Sequence, residues 1–339
     1  MMSIEKTVSA LGEFQLIETL FSRLVMADDK RIIKGVGDDS AVLNIPRTQH
    51  LLTTTDTLIE GVHFNSDTDP FILGRKALRV NLSDIAAMGG VPHWYVLSLA
   101  IPSTTSLKWA EEFARGLDEA GKRFNVSLVG GDMVASTGPI IITITLNGLV
   151  GEGRAIMRSS AQVGDRIYVT GTIGDSALGL AHRLGRVKIS DAHHIEFLKH
   201  RHQIPEPRLS VGKMLQDTAI ARSIIDVSDG LVADLEHICS ASGVGARLHA
   251  DKVPLSDAAR AVLDGDDTNR MMQMVLTGGE DYELIFTASA DIADAISDIT
   301  DQTGVALTEI GEIVKGESVV TVCRDGEPWV LERGGWKHF

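Results

Sequence analysis

Aspartates recur where apolar segments begin or end: Gly37-Asp38-Asp39, Thr54-Thr55-Asp56, Ser83-Asp84, Gly130-Gly131-Asp132 and Asp226-Val227-Ser228-Asp229-Gly230. Buried segments delivering these carboxylates to one region would create a costly cluster, since two like charges about 4 Å apart repel by roughly 4 kcal/mol at an effective dielectric near 20. Cations must then neutralise it. Oxygen ligands with few His and no Cys among them suit Mg²⁺, a hard cation that binds through carboxylates together with substrate phosphates. The chemistry these residues predict is magnesium-dependent work on phosphate esters.

Each motif also has a plainer reading. Asp38 and Asp39 fit a turn in which Asp caps its own backbone, and Asp56 fits a strand end in solvent. Asp84 is less easily set aside, because Leu82, Ile85, Ala86, Ala87 and Met88 surround it in sequence, and an uncompensated buried carboxylate costs several kcal/mol. A metal ion or an N–H donor is its expected partner, rather than an exposed helix face. Gly130 and Gly131 either let the backbone approach a ligand, with Asp132 at a strand mouth, or form a simple turn. Asp226 and Ser228 alternate onto one face with Asp229 beyond it, and Ser228 or Asp229 doubles as a helix cap. Arg158 is either a fork for phosphate oxygens or a surface charge.

These residues need a scaffold, and 339 residues with 44% hydrophobic content suffice for two domains. Thirty-three glycines and 5% aromatics suggest many tight turns between strands and helices. A formal charge of −14 argues against nucleic acid, since such proteins carry a basic patch or stripe. It leaves nucleotides open, because Mg²⁺ bridges acidic protein and acidic ligand. Cys239 and Cys323 form no Cys-x-x-Cys pair, so buried reduced thiols are expected. Residues 1–14 lack the apolar stretch of a signal peptide and no run of about 18 apolar residues occurs; a soluble, cytoplasmic protein without membrane contact is the expectation. No Gly-x-x-x-x-Gly-Lys-[Ser/Thr] loop, Gly-x-Gly-x-x-Gly fingerprint, His-Glu-x-x-His or Gly-x-Ser-x-Gly motif is present, which disfavours P-loop, Rossmann, zincin and triad chemistry.

Apolar spacing predicts a helix over 14–25, then strands 40–45 and 50–55 paired across the Pro46 turn. Asp69-Pro70 starts a helix that runs to Met88 and stops at Gly89-Gly90, with Asn81, Asp84 and Met88 on one face. A strand over 94–101, a helix over 106–124, a short buried strand over 126–129 and a long β run over 139–150 complete a βαβ pattern with added strands. A boundary falls near 151–164. Strand 165–170, a helix from Asp175 to Leu184, a stiff Pro205-Glu206-Pro207 connector, strand 223–227 and a helix over 231–241 follow. Strand 246–249, helices around 256–275, strand 282–287, helix 290–302 and strands to Val330 close the chain. The fold class is α/β, layered as α+β, in two domains.

Together with Asn81-Leu82-Ser83-Asp84-Ile85-Ala86-Ala87-Met88-Gly89 and Gly278-Gly279-Glu280-Asp281-Tyr282-Glu283-Leu284, the acidic motifs closely resemble the bacterial thiamine-monophosphate kinase family, from about Glu13 to Phe339 and in order. That family lies in the aminoimidazole-ribonucleotide-synthetase superfamily. The resemblance implies a PurM-like fold: residues 1–150 form an ATP- and Mg²⁺-binding domain whose mixed sheet pairs across a homodimer, and residues 151–339 complete the substrate site. It implies transfer of the ATP γ-phosphoryl group to thiamine monophosphate. By position Asp39, Thr54, Thr55, Asp56, Asp84, Asp132 and Asp226 would hold several Mg²⁺ ions, with Asp229 supporting another. Gly131, Asp132, Arg158 and Ser228 would meet ATP; His63, Glu280 and a tail aromatic would meet the thiamine ligand. Some relatives carry the tail Trp three positions earlier, where this chain has Arg333, so Trp336 either substitutes or packs in a core.

No general base or covalent nucleophile is expected, because a phosphate monoester with a second pKa near 6 is already an anion at neutral pH. The rivals are an ATP-dependent ring-closing synthetase, a selenide-phosphorylating enzyme, a two-metal phosphatase and a cation-binding module without turnover. A selenide enzyme would show a reactive Cys or Lys near the N-terminus, and no Cys lies there.

Overall fold

The computed structural model describes residues 7–10, 13–21, 24, 29–265, 267–332 and 335. They fall into two units, residues 1–85 with 91–153 and residues 86–90 with 154–339. The first contains α1 (Glu13–Phe21), β1 (Ile32–Lys34), β2 (Val42–Leu43), β3 (Gln49–Ile59), α2 (Pro70–Ala86), β4 (Val91–Pro102), α3 (Leu107–Phe124), β5 (Ser127–Ser136) and β6 (Ile141–Gly151). Local chemistry sets the helix ends. Asp69 Oδ1 accepts the amides of Phe71 and Ile72 ahead of α2, and Ser106 Oγ accepts the Trp109 amide at 3.1 Å ahead of α3. Asn125, left-handed at φ 56, ends α3.

The sheet order is β3-β6-β4-β5, and β4-α3-β5 is a parallel βαβ unit within otherwise antiparallel pairing. The strands differ from the expectation in two places. The strand expected over 40–45 does not pair with its successor: β2 pairs with β1, while β3 takes β6 as partner along its whole length, from Gln49↔Gly151 to Ile59↔Ile141. Packing explains the choice, because Ile32, Ala41, Leu43 and Ile45 lie against Trp94, Val129 and Leu149. The short strand expected over 126–129 continues to Ser136, so Asp132 lies within a strand rather than at its mouth.

Gly130-Gly131 therefore does not form a turn. A Cβ at Gly131 would stand 2.1 Å from the Leu97 carbonyl oxygen, so the glycine serves the close approach of β4, just past a register shift between Tyr95 and Val96. Gly131→Ala is expected to cost about 1–3 kcal/mol through overpacking, measured by chemical denaturation against wild type.

The second unit contains β7 (Arg166–Thr170), α4 (Asp175–Arg183), α5 (Ala192–Gln203), α6 (Leu209–Thr218), β8 (Ala221–Asp226), α7 (Leu231–Ser242), β9 (Gly245–His249), α8 (Asp257–Gly265), α9 (Thr268–Thr277), β10 (Leu284–Ala288), α10 (Ala293–Thr303), β11 (Leu307–Val314), β12 (Val320–Arg324) and β13 (Glu327–Pro328). Its seven-stranded sheet runs β13-β12-β9-β11-β7-β10-β8. Alternation along the central strands explains the layers. Ile167, Val169, Ile225 and Ile285 pack with Leu178, Leu235 and Val275 on one face; Tyr168, Ile224 and Phe286 pack with Val211, Leu215 and Ile299 on the other. Both faces are covered by helices. Among the described residues, no helix is long and apolar enough to cross a membrane.

Candidate active site

In the first unit the expected ligands come from three elements. Thr54 Oγ1 donates to Asp84 Oδ2, which joins the middle of β3 to the last turn of α2, and Asp56 lies two residues along β3 on the same face. Thr55 turns to the opposite face, where Oγ1 donates to the Ile144 carbonyl at 3.2 Å and accepts from Thr145 at 3.0 Å. The register aligns Thr57 with Thr143, Ser98 and Asp132, and the Thr57–Thr143 hydroxyl contact at 2.8 Å confirms their shared face. Asp132 therefore faces away from Thr54, Asp56 and Asp84, with three strand spacings, roughly 14 Å, between the edge strands that carry Asp56 and Asp132. Within this unit the acidic residues do not form one cluster. Among the described residues, no group of three His, Cys, Asp or Glu side chains is gathered to hold an ion.

Asp39 is exposed, and its amide donates to Asp38 Oδ1 at 3.0 Å, while Asp38 pairs with Lys34 at 3.5 Å. His63 Nδ1 accepts the Ile59 amide at 3.0 Å, which places the neutral ring's proton on Nε2 and makes that nitrogen the donor.

In the second unit two loops are joined backbone to backbone. Asp226, buried at the end of β8, pairs in register with Leu284. Beyond it the Val227 amide donates to the Glu283 carbonyl, Tyr282 to Val227 and Glu280 to Ser228, each at 2.8 Å. A Cβ at Gly279 would meet the Ser228 carbonyl oxygen at 2.2 Å, so only glycine fits there. Glu280 and Tyr282 take φ 68 and φ 52, and the latter explains why β10 begins at Leu284 rather than at the expected residue 282. Strain of this kind persists only where surroundings over-determine it.

Buried carboxylates supply that constraint, and sequence reasoning gave them no role. Asp234 Oδ2 accepts the amides of Ser228, Asp229 and Gly230 at 3.0, 3.0 and 3.1 Å. Asp281 accepts the amides of Gly174 at 2.7 Å and Ser176 at 3.1 Å at the start of α4, a favourable place for negative charge. Glu283, fully buried, accepts from Arg201 at 2.7 Å, from Arg208 at 2.6 and 2.5 Å and from Thr170 at 2.6 Å. Burial opposes the charge of Arg201, but Glu283, Asp281 and Asp175 outweigh it and hold the guanidinium's pKa above its ordinary value. The signal available in sequence was three acidic residues within four, 280–283, directly ahead of an apolar strand. Arg158 is exposed, with its carbonyl accepting the Ser242 hydroxyl at 2.9 Å. Trp336 and Arg333 lie outside the described residues.

Burial pushes the carboxyl groups of Asp234 and Asp281 up to about 7, against about 3.9 for aspartate in an unfolded chain. The folded state then holds these protons more tightly, so the contribution is fully present below about pH 4 and is lost as pH rises through 7, with a slope of up to ~1.4 kcal/mol per pH unit per proton. Asp234→Asn keeps an acceptor for the three amides and removes one titration. Thermal unfolding of metal-free protein from pH 5 to 8 should show a shallower decline in this variant than in wild type.

The α/β units and the carboxylate-bearing loops define a class. Residues 37–150 match the N-terminal domain of AIR synthase related protein and residues 162–324 its C-terminal domain. Thiamine-monophosphate kinase of Escherichia coli (strain K12) is 42% identical over 330 residues, covering 97% of this chain and 99% of that protein. The crystal structure of thiamine-monophosphate kinase from Stenotrophomonas maltophilia K279a is 40% identical with a TM-score of 0.82, covering 94% of this chain and 98% of the other. A structure of AaThiL complexed with AMPPCP and TMP is 34% identical with a TM-score of 0.75, covering 99% and 100%. The chain belongs to the thiamine-monophosphate kinase family.

Proposed function

We propose that this chain transfers the γ-phosphoryl group of ATP to the phosphate of thiamine monophosphate, giving thiamine diphosphate and ADP. The observation that carries this is the near full-length match to AaThiL complexed with AMPPCP, an ATP analogue, and TMP. The acceptor oxygen is already anionic at neutral pH, so no residue need remove a proton. Transfer is direct and in line, and positioning with charge neutralisation is the protein's task.

The donor set fits Mg²⁺. The oxygens of Asp84, Thr54 and Asp56 on one face, Asp132 and Thr55 on the other, and Asp39, Asp226 and Asp229 in loops are hard ligands without thiolate. A cation that takes one or two carboxylates plus phosphate oxygens and waters needs no cage of three protein carboxylates. When bound, Mg²⁺ supplies charge neutralisation at the phosphate oxygens. Gly131, Asp132, Arg158 and Ser228 meet the nucleotide, His63 Nε2–H donates to the substrate phosphate, and Glu280 accepts from the aminopyrimidine. Residues 1–150 bind ATP and Mg²⁺ and residues 151–339 complete the substrate site. The chain acts in the cytoplasm as a homodimer through the first unit's sheet, whose Thr53, Thr55, Thr57 and Val134 side is exposed.

A coupled assay with ATP, Mg²⁺ and thiamine monophosphate should yield thiamine diphosphate, and EDTA should abolish it. Release of inorganic phosphate from thiamine monophosphate without ATP would instead identify a phosphatase, and Mg²⁺-dependent stabilisation without turnover a binding module.

A further inference from the structure

The backbone of Glu280 is fixed by the hydrogen bond that its N–H donates to the Ser228 carbonyl and by the crowded Gly279 beside it. Its side chain has three further torsions to fix. Glu280 Oε2 lies 3.2 Å from Nδ1 of His202, a buried residue in the last turn of α5. The same Nδ1 lies 3.0 Å from Ser176 Oγ, and the Ser176 amide is held by Asp281. Ser176 Oγ and Glu280 Oε2 thus both face the one Nδ1 of His202, and Ser176 ties the place of that nitrogen to the start of α4. Were the ring's only proton on Nε2, a lone pair would face the carboxylate and repel it; a proton on Nδ1 is attracted to it.

We propose that His202 is a positioning residue for thiamine monophosphate: with its proton on Nδ1, it holds the Glu280 carboxylate in the rotamer that accepts from the aminopyrimidine, without touching the substrate itself. The proposal rests on the reading of Glu280 as the pyrimidine acceptor. Steady-state kinetics on the full chain separate the two. Glu280→Ala should raise KM for thiamine monophosphate; if it does not, the reading of Glu280 fails and the proposal with it.

His202→Leu should raise that KM by about tenfold, the scale of one lost positioning hydrogen bond, and leave kcat and the KM for ATP within about twofold. His202→Asn, which sets an amide N–H near the place of Nδ1, should recover most of the loss. In the Glu280→Ala background His202→Leu should add nothing. An unchanged KM in His202→Leu beside a raised one in Glu280→Ala overturns the role of His202 alone, as does an equal loss in kcat and both KM values. If His202→Leu does not fold, His202→Gln takes its place: its amide reaches the place of Nε2 rather than Nδ1, and an unchanged KM for thiamine monophosphate there overturns the proposal.

Discussion

Asp84→Asn is expected to lower kcat/KM by roughly 10²–10³-fold, the scale of removing one electrostatic group from a phosphoryl-transfer site, and to leave the melting temperature within about 2 °C. Asp84 is half-buried in the last turn of α2, between the fully buried Ser83 and Ile85, and accepts the Thr54 hydroxyl. Asn has the same shape and its amide oxygen still accepts that hydroxyl, so helix and strand stay joined. What disappears is one negative charge on a face that also carries Asp56. Activity should therefore recover partly at higher Mg²⁺, and a titration of rate against Mg²⁺ should shift to higher concentration. A rate within threefold of wild type at ordinary Mg²⁺ would remove Asp84 from the cation-binding set.

Glu283→Ala is expected to be the most destabilising single change. Its carboxylate is fully buried and accepts from two guanidinium groups and a hydroxyl. Removing it takes the carboxylate from both guanidinium groups, leaving Arg201 only the more distant Asp175 at 3.4 Å, and breaking a buried pair this way costs about 3–5 kcal/mol. In a domain of 150–250 residues, where each kcal/mol moves the melting temperature by about 2–4 °C, a fall on the order of 10 °C follows. Glu283→Gln keeps the volume and one acceptor and should fall between. Differential scanning calorimetry reads both, and a shift under about 3 °C in Glu283→Ala would mean that solvent reaches the two arginines.

Elements whose ends depend on their own residues were legible in the sequence. Asp69-Pro70 and Ser106 announced α2 and α3, and the apolar runs of β7 and β8 announced strands buried on both faces. Choices made over distance were not legible. Nothing near residue 42 says that β1 rather than β3 is its partner, because the decision rests on Trp94, Val129 and Leu149. Helix α5 leaves little trace in the sequence although Asp191 caps it through the amides of His193 and His194, for it buries only Leu198 and His202 and so shows no apolar stripe. At the site, residue type and spacing pointed to oxygen-ligand chemistry, but the face each residue occupies depends on strand register. The register shift between Tyr95 and Val96 and the glycine contact at Leu97 set that for Asp132. The arginines that hold Glu283 stand 82 and 75 residues away in sequence, beyond the reach of any local pattern.

The joined loops at residues 227–230 and 278–283 constrain how this unit loosens. Their amides and carbonyls bind each other, so neither strip can detach while its neighbour keeps its shape. Opening there is a single cooperative event. The proposed nucleotide contact at Ser228 and the proposed pyrimidine contact at Glu280 would melt and reform in unison, and either ligand, by holding its own strip, would steady the other's berth before it arrives.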